Sequence, residues 1–228
     1  MFFPCATMIS HTHRCVFIHI PKTAGSSIEY RLGHDITTGR NRQDHRALRH
    51  IQPLNARAWL HLVQKGDWDT LYRRIKYRLQ GRDFLTPETY RTYFKFTFVR
   101  NPWARVYSWY KNVLKDPHHQ QELGVPPDCP FDVFVKRHLD CWALRPQLYW
   151  ICDYADNLTL DFIGRFEHLQ RDFRKVAGRI GLEDATLPHL VRGDSSHYMQ
   201  AYDSVTRDIV ARRYAREIAI FDYTFEEG

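Results

Sequence analysis

Residues 16–27 read V-F-I-H-I-P-K-T-A-G-S-S, and no other stretch limits the possible folds so strongly. A short apolar run stops at Pro21, because proline cannot donate to a sheet ladder, and opens into a turn of small and polar residues. The pattern predicts a buried parallel strand over Cys15 to Ile20, then a helix over Ser26 to Leu32. The turn between them has the chemistry of an anion cradle. Lys22 brings positive charge, and Thr23, Ser26 and Ser27 offer hydroxyls. Ala24 and Gly25 leave backbone N–H groups open to close approach. A phosphate or sulfate ester is the ligand class this chemistry suits. The order of residues differs from the nucleoside-triphosphate loop G-x-x-x-x-G-K-[ST], because Lys22 precedes Gly25, the one glycine of the turn.

Later segments repeat the strand–helix alternation. Phe94 to Val99 alternates aromatic and other residues and predicts a second strand, ended by Arg100-Asn101-Pro102. Pro102 then opens a helix to about Leu114. Leu158 to Phe166 contains a further strand, followed by a helix from His168 to Ile180. Asp44 is predicted to cap a short helix through His45, Leu48 and Ile51. Asn55 to Gln64 and Asp67 to Leu79 read as two helices separated by Gly66, and Thr86-Pro87-Glu88 as another helix start. Phe131 to His138 reads as helix. Gly33 to Arg42 and Leu187 to Tyr202 read as irregular, and Ser204 as the cap of a last helix running to Ile218. Asp116 to Pro130, rich in Pro, His and Gly, reads as a mobile loop and candidate lid. These elements predict one α/β domain over residues 1–228, three-layer α/β/α with a central, mostly parallel sheet.

The 228 residues are 43% hydrophobic, enough for a full core in one domain. The net charge of +7 favours an anionic partner without choosing among nucleotide, acidic polysaccharide, nucleic acid and membrane surface. No run approaches the ~20 apolar residues that span a bilayer. The first fifteen residues do not read as a signal peptide. Cys5, Cys15, Cys129, Cys141 and Cys152 are an odd, scattered set, which reads as free thiols in a reducing compartment, the cytoplasm.

The second candidate constellation is Phe98-Val99-Arg100-Asn101-Pro102-Trp103, with Arg105 and Ser108 beyond it. Arg100 falls at a strand end, where α/β sheets present ligand contacts, and a guanidinium can hold a phosphate through paired hydrogen bonds. Trp103, Val106, Tyr110, Val113 and Leu114 form a core stripe that leaves Ser108 on another side of the helix. Arg100 and Arg105 as surface ion-pair residues is the competing reading.

P-K-T-A-G-S-S after a strand, then F-V-R-N-P-W-x-R-x-x-S, resembles the sulfotransferases that use 3′-phosphoadenosine 5′-phosphosulfate (PAPS). The branch with the Golgi carbohydrate sulfotransferases and their bacterial relatives is the most similar. D-F-I-G-R-F-E-H-L-Q-R-D-F at Asp161 to Phe173, L-P-H-L at Leu187 to Leu190 and the Y-D-S-V-T to F-D-Y-T-F terminus continue the resemblance. It implies a P-loop NTPase-like fold and transfer of a sulfuryl group to a hydroxyl, of a carbohydrate that can be acidic. It also implies that Pro21 to Ser27 bind the 5′-phosphosulfate while Arg100 and Ser108 bind the 3′-phosphate, with no metal required and no nucleic-acid partner. Many relatives carry an N-terminal membrane anchor, and this chain shows none, which implies a soluble bacterial-type enzyme. Val191-Arg192-Gly193-Asp194 departs from the pattern of the relatives.

Transfer to an alcohol needs a base for the hydroxyl proton, and a histidine suits that task. His45 is the candidate among 13 histidines, since bacterial relatives look similar there; an exposed or capping histidine is the alternative. His19, inside the first strand, reads as a packed core histidine. Lys22 would stabilise charge on the leaving phosphate. Trp103, Tyr107, Trp109, Trp142, Tyr149 and Trp150 are candidates to stack on sugar rings. The rivals are a small-molecule kinase with a P-loop and a non-enzymatic polyanion-binding module.

Overall fold

The computed structural model describes residues 8–33, 43–188 and 197–227. Four strands form one open sheet in the order β1 (Ile9–Ser10), β2 (Cys15–Ile18), β3 (Phe94–Val99) and β4 (Phe162–Arg165). β2, β3 and β4 run parallel, while β1 pairs antiparallel with β2. Between β2 and β3 lie α1 (Gly25–Arg31), α2 (Leu48–Ile51), α3 (Ala56–Lys65), α4 (Trp68–Leu79) and α5 (Pro87–Thr92). Between β3 and β4 lie α6 (Pro102–Val113), α7 (Pro117–Leu123), α8 (Phe131–His138) and α9 (Gln147–Ile151). The chain ends in α10 (Leu169–Ile180), α11 (Tyr198–Ala201), α12 (Ser204–Arg213) and α13 (Ala215–Phe221). The fold is mixed α/β.

The alternation of side chains along a strand decides what covers each side of the sheet. Cys15 and Phe17 of β2 and Phe96 and Phe98 of β3 join Ile28 of α1 and Phe173 and Val176 of α10 in one buried cluster. Val16, Ile18 and Val99 instead join Leu48 and Ile51 of α2 and Trp150 and Ile151 of α9. A third cluster packs α6 against α8 and α12 through Trp103, Val106, Phe134 and Val210. Gly164 of β4 lies so close to Phe98 that an added Cβ would stand 2.5 Å from its ring, which is why a glycine sits in this strand.

Several elements differ from the sequence reading. The first strand ends at Ile18, because His19 and Ile20 already lead into the turn. The short helix α2 starts after Ala47 and not at Asp44, whose carboxylate is held by Arg46 at 2.7 Å. Asp116 to Pro130 is not a mobile loop. Asp116 caps α7 by accepting from the His118 N–H (2.9 Å), Gly124 stops it with φ 62°, and Val125 and Cys129 are buried in the core. The last helix is capped by Asp203, one residue before Ser204, and is interrupted at Tyr214, whose buried hydroxyl donates to the Leu144 carbonyl at 2.7 Å. Part of Leu187 to Tyr202 forms the single turn α11, and Val191 to Asp194 lie outside the described residues.

Candidate anion-binding site

The parallel register sets the site. Ile18 of β2 pairs with Thr97 of β3, and Val99 of β3 pairs with Arg165 of β4. The turn after β2, Arg100 after β3 and Phe166 after β4 therefore emerge at one edge, the carboxyl end of the parallel strands. Arg100 is buried there and its guanidinium lies 3.9 Å from the centre of the Phe166 ring. It also donates to the carbonyl of Lys22 at 3.0 Å. Burial pushes the Arg100 pKa down to about 10, which marks a cation held out of water. The surface ion-pair reading of Arg100 and Arg105 is wrong for both.

The turn itself is shaped for an anion. Lys22 (φ 70°) and Ala24 (φ 67°) both adopt the left-handed conformation, which non-glycine residues avoid. Left-handed residues alternating with ordinary ones turn successive backbone N–H groups toward one concave point, an anion nest. Ser27 and Ile28 N–H groups turn back to the Ala24 carbonyl (3.1 and 3.4 Å). No hydrogen bond among the described residues uses the N–H of Gly25 or Ser26. The Thr23 hydroxyl is tied to the backbone of the turn. It donates to the Ile20 carbonyl at 2.9 Å and is fully buried, so it braces the turn.

One face of α6 backs this nest. Arg105 is fully buried and donates to the carbonyls of Pro21 (3.1 Å), Arg145 (3.1 Å) and Ala143 (2.6 Å). Seven residues on, Asn112 accepts from the ammonium of Lys22 at 3.1 Å. Ser108 falls between them at helical spacing and so lies on the face turned to the nest. It is 8% exposed, and its hydroxyl has no partner among the described residues. The Lys22 pKa is pushed down to about 8, first by burial and then by Arg100 and Lys115. An anion placed in the nest would relieve that strain on the cation.

His45 stands beside the nest. Its Nδ1 lies 3.0 Å from the carbonyl of His19, an acceptor to which a ring N–H can donate. Nε2 lies 3.1 Å from the side-chain carbonyl oxygen of Gln43, also an acceptor, so a neutral His45 donates to only one of the two carbonyls, and the Gln43 NH2 donates to the Ser26 hydroxyl. Gln43 thus links the histidine to the nest. Burial and the nearby His19 hold the His45 pKa well below the usual range, so it is neutral at pH 7. His19 is buried, as a core histidine should be, but it is also paired: Nδ1 lies 2.8 Å from the Glu29 carboxylate, and its ring centre is 4.1 Å from that of His45.

A cavity of about 240 Å3 opens on His45, lined by Gln43, Arg46, Tyr77, Arg82 and Trp142. Trp142 is 41% exposed with its ring centre 5.2 Å from that of His45. Trp103, Trp109 and Trp150 are core residues and present no face to a ligand. The arginines Arg46, Arg49 and Arg74 near the cavity are occupied. Arg46 is buried against Asp44, Arg49 pairs with Asp156 at 2.9 Å, and Arg74 donates to the carbonyls of Arg49, His50 and Gln52 that end α2.

Sequence reasoning named the nest, Arg100, Ser108 and His45, and the structure brings all of them to one edge of the sheet. It missed Gln43, Asn112 and Gln147. The side-chain amide of Gln147 accepts from the Arg100 N–H (2.8 Å) and donates to the Arg100 carbonyl (2.8 Å), fixing the strand end. A glutamine two residues before the candidate base was the one available signal for Gln43. Nothing local marks Asn112 or Gln147, which act across 90 and 47 residues.

A 101-residue stretch, 40% of this chain, is 36% identical to an uncharacterized protein of Archaeoglobus fulgidus and covers 71% of that protein. No solved structure matches the chain. A model of the sulfotransferase family matches residues 6–224, nearly the whole length. Matched over nearly its whole length by that family model, the chain belongs to the sulfotransferase family.

Proposed function

We propose that the protein transfers a sulfuryl group from PAPS to a hydroxyl of a carbohydrate acceptor. The observation that carries this reading is the joining of the nest to a second buried cation. Arg100 reaches the Lys22 carbonyl, Arg105 reaches that of Pro21, and Lys22 reaches Asn112. A donor with phosphate groups at both ends suits one site built from two anion-binding parts. The nest from Pro21 to Ser27 would hold the 5′-phosphosulfate through N–H groups and the hydroxyls of Ser26 and Ser27. Arg100 and Ser108 would hold the 3′-phosphate. PAPS when bound supplies an activated sulfuryl group, and its departure leaves adenosine 3′,5′-bisphosphate.

The remaining work belongs to this chain. The lowered pKa keeps His45 neutral at pH 7, and in the tautomer that donates from Nδ1 to the His19 carbonyl its Nε2, with the acceptor hydroxyl in place of the Gln43 oxygen, would take the hydroxyl proton. Lys22, protonated in the presence of the anion, holds the charge that grows on the leaving phosphate. Trp142, half exposed beside His45, offers a flat face to a sugar ring. The placement of α1 and α10 against one side of the sheet and α2 and α9 against the other supports a three-layer, P-loop-like domain over residues 1–228. The unpaired thiols of Cys15, Cys129, Cys141 and Cys152 support a reducing compartment, and we place the protein in the cytoplasm.

The test is a titration of adenosine 3′,5′-bisphosphate, ADP and a short oligonucleotide at matched salt. The bisphosphate should bind tightest, and Arg100→Ala should remove that preference. Tighter binding of ADP would favour the kinase reading, and tighter binding of the oligonucleotide the polyanion reading. His45→Ala should lower turnover by ~10²–10⁴-fold while the bisphosphate still binds; unchanged turnover would sink the base assignment.

A further inference from the structure

Seven of the thirteen large apolar side chains that are exposed among the described residues lie on the α3–α4 hairpin. On α4, Trp68, Tyr72, Ile75 and Leu79 fall at i, i+4, i+7 and i+11, one face of the helix. Leu79 is 83% exposed and Tyr72 64%, so these side chains stand out from the surface. On α3, Trp59 and Val63 do the same one turn apart. Trp59 and Ile75 meet at a shared cavity of about 490 Å3 whose floor includes Leu54, Phe84 and Leu85. The two apolar faces thus form one patch. An apolar patch of this extent marks a contact surface.

The charge around it says which contact. Residues 56–82 carry seven Arg or Lys against Asp67 and Asp69, so +5 of the chain's +7 lies on this hairpin. Asp67 is turned inward as the α4 cap, and Asp69 is paired with Arg73 at 2.9 Å. Lys76 is exposed and lies on α4 between Tyr72 and Leu79. Two copies meeting through this face would bring like charges together. Exposed tryptophan, tyrosine and leucine flanked by long basic side chains match instead the boundary of an anionic bilayer. There the apolar groups enter the acyl region and the cations meet headgroups. Among the described residues no helix is long and apolar enough to cross a membrane, and an exposed apolar face flanked by cations suits docking in the interface plane.

We propose that the α3–α4 hairpin docks the protein on an anionic lipid bilayer. α4 also carries Tyr77, which lines the cavity on His45, so a docked hairpin would set that cavity beside the headgroup layer. The docking claim itself stands without any assumption about the reaction.

The experiment is flotation of the full chain with vesicles of phosphatidylglycerol and phosphatidylcholine, against phosphatidylcholine alone. Binding should appear on the anionic vesicles, weaken with added salt, and fall by at least ~10-fold in Tyr72→Ser/Leu79→Ser and in Lys76→Glu/Arg78→Glu. Val205→Ser, at an exposed apolar residue of α12, should bind as the parent does. Thermal unfolding of each variant shows that the fold is kept. Absence of vesicle binding, or equal binding to the neutral vesicles, would overturn the proposal. So would a concentration-dependent dimer, without vesicle binding, that Tyr72→Ser/Leu79→Ser dissolves, which would assign the face to a second copy.

Discussion

A Cβ built on Gly25 would lie 1.9 Å from Nε2 of His19, so the turn can close over that histidine only with glycine there. His19 cannot easily retreat, because its other nitrogen is tied to Glu29, itself buried. Gly25→Ala should cost about 1–3 kcal/mol and distort the nest enough to abolish binding of adenosine 3′,5′-bisphosphate, read by denaturant unfolding and calorimetry. Lys22 makes a second prediction at this scale. Its pKa of about 8 belongs to the ligand-free site, and an anion in the nest raises it. Binding therefore takes up a proton once the pH exceeds about 8. Affinity for the bisphosphate should fall above that pH, approaching ~10-fold per unit until the pKa of the complex is reached. Lys22→Arg, charged throughout, should flatten the profile. A parent profile that stays level from neutral to alkaline pH would refute the assignment.

Among the elements, α6 has the heaviest duty, because one of its faces seals a core cluster and another backs the nest. Its start was readable: Asn101 accepts from the N–H groups of Trp103 and Ala104 (3.0 and 3.3 Å), and Pro102 needs no such partner. Asn101→Ala should cost about 1 kcal/mol in urea unfolding through the lost cap. Its effect on bisphosphate affinity should exceed that of a solvent-facing change in α12 of equal cost, since tilting α6 moves Arg105, Ser108 and Asn112 together. α7 was misread for a reason of the same kind. Proline and histidine suggest a loop, yet Asp116 before Pro117 is a good cap, and the buried Val125 and Cys129 anchor the chain beyond the helix. Local composition carries the cap but not the burial.

For the molecule as a whole, long-range polar ties hold the cavity in shape. Asp44 accepts from Arg46 and from the Met8 N–H (3.4 Å), while Arg46 donates to the carbonyl of Asp83 (2.5 Å). Both side chains are 3% exposed, so Asp44→Ala would strand a guanidinium in the interior. The expected loss is about 3–5 kcal/mol, and a replacement of both residues by apolar ones should recover much of it. A double variant that loses the sum of the two single losses would show that the pair does not act as one unit.

Periodicity and turn chemistry were enough to read the strands, most helices and the anion turn, because each depends on neighbours within a few residues. The nest residues, Arg100 and Ser108 could be named for that reason. The sequence alone determined that an apolar strand must end in a small-residue, lysine-bearing turn, and that a second strand must end in arginine. The tertiary structure decided what those ends do. Parallel pairing of Ile18 with Thr97 put both at one edge. Burial lowered the pKa values of Lys22 and Arg100, and Asn112, Gln43 and Gln147 arrived from distant segments to hold the parts in place. Register and desolvation are properties of segments brought together, and no single segment carries them.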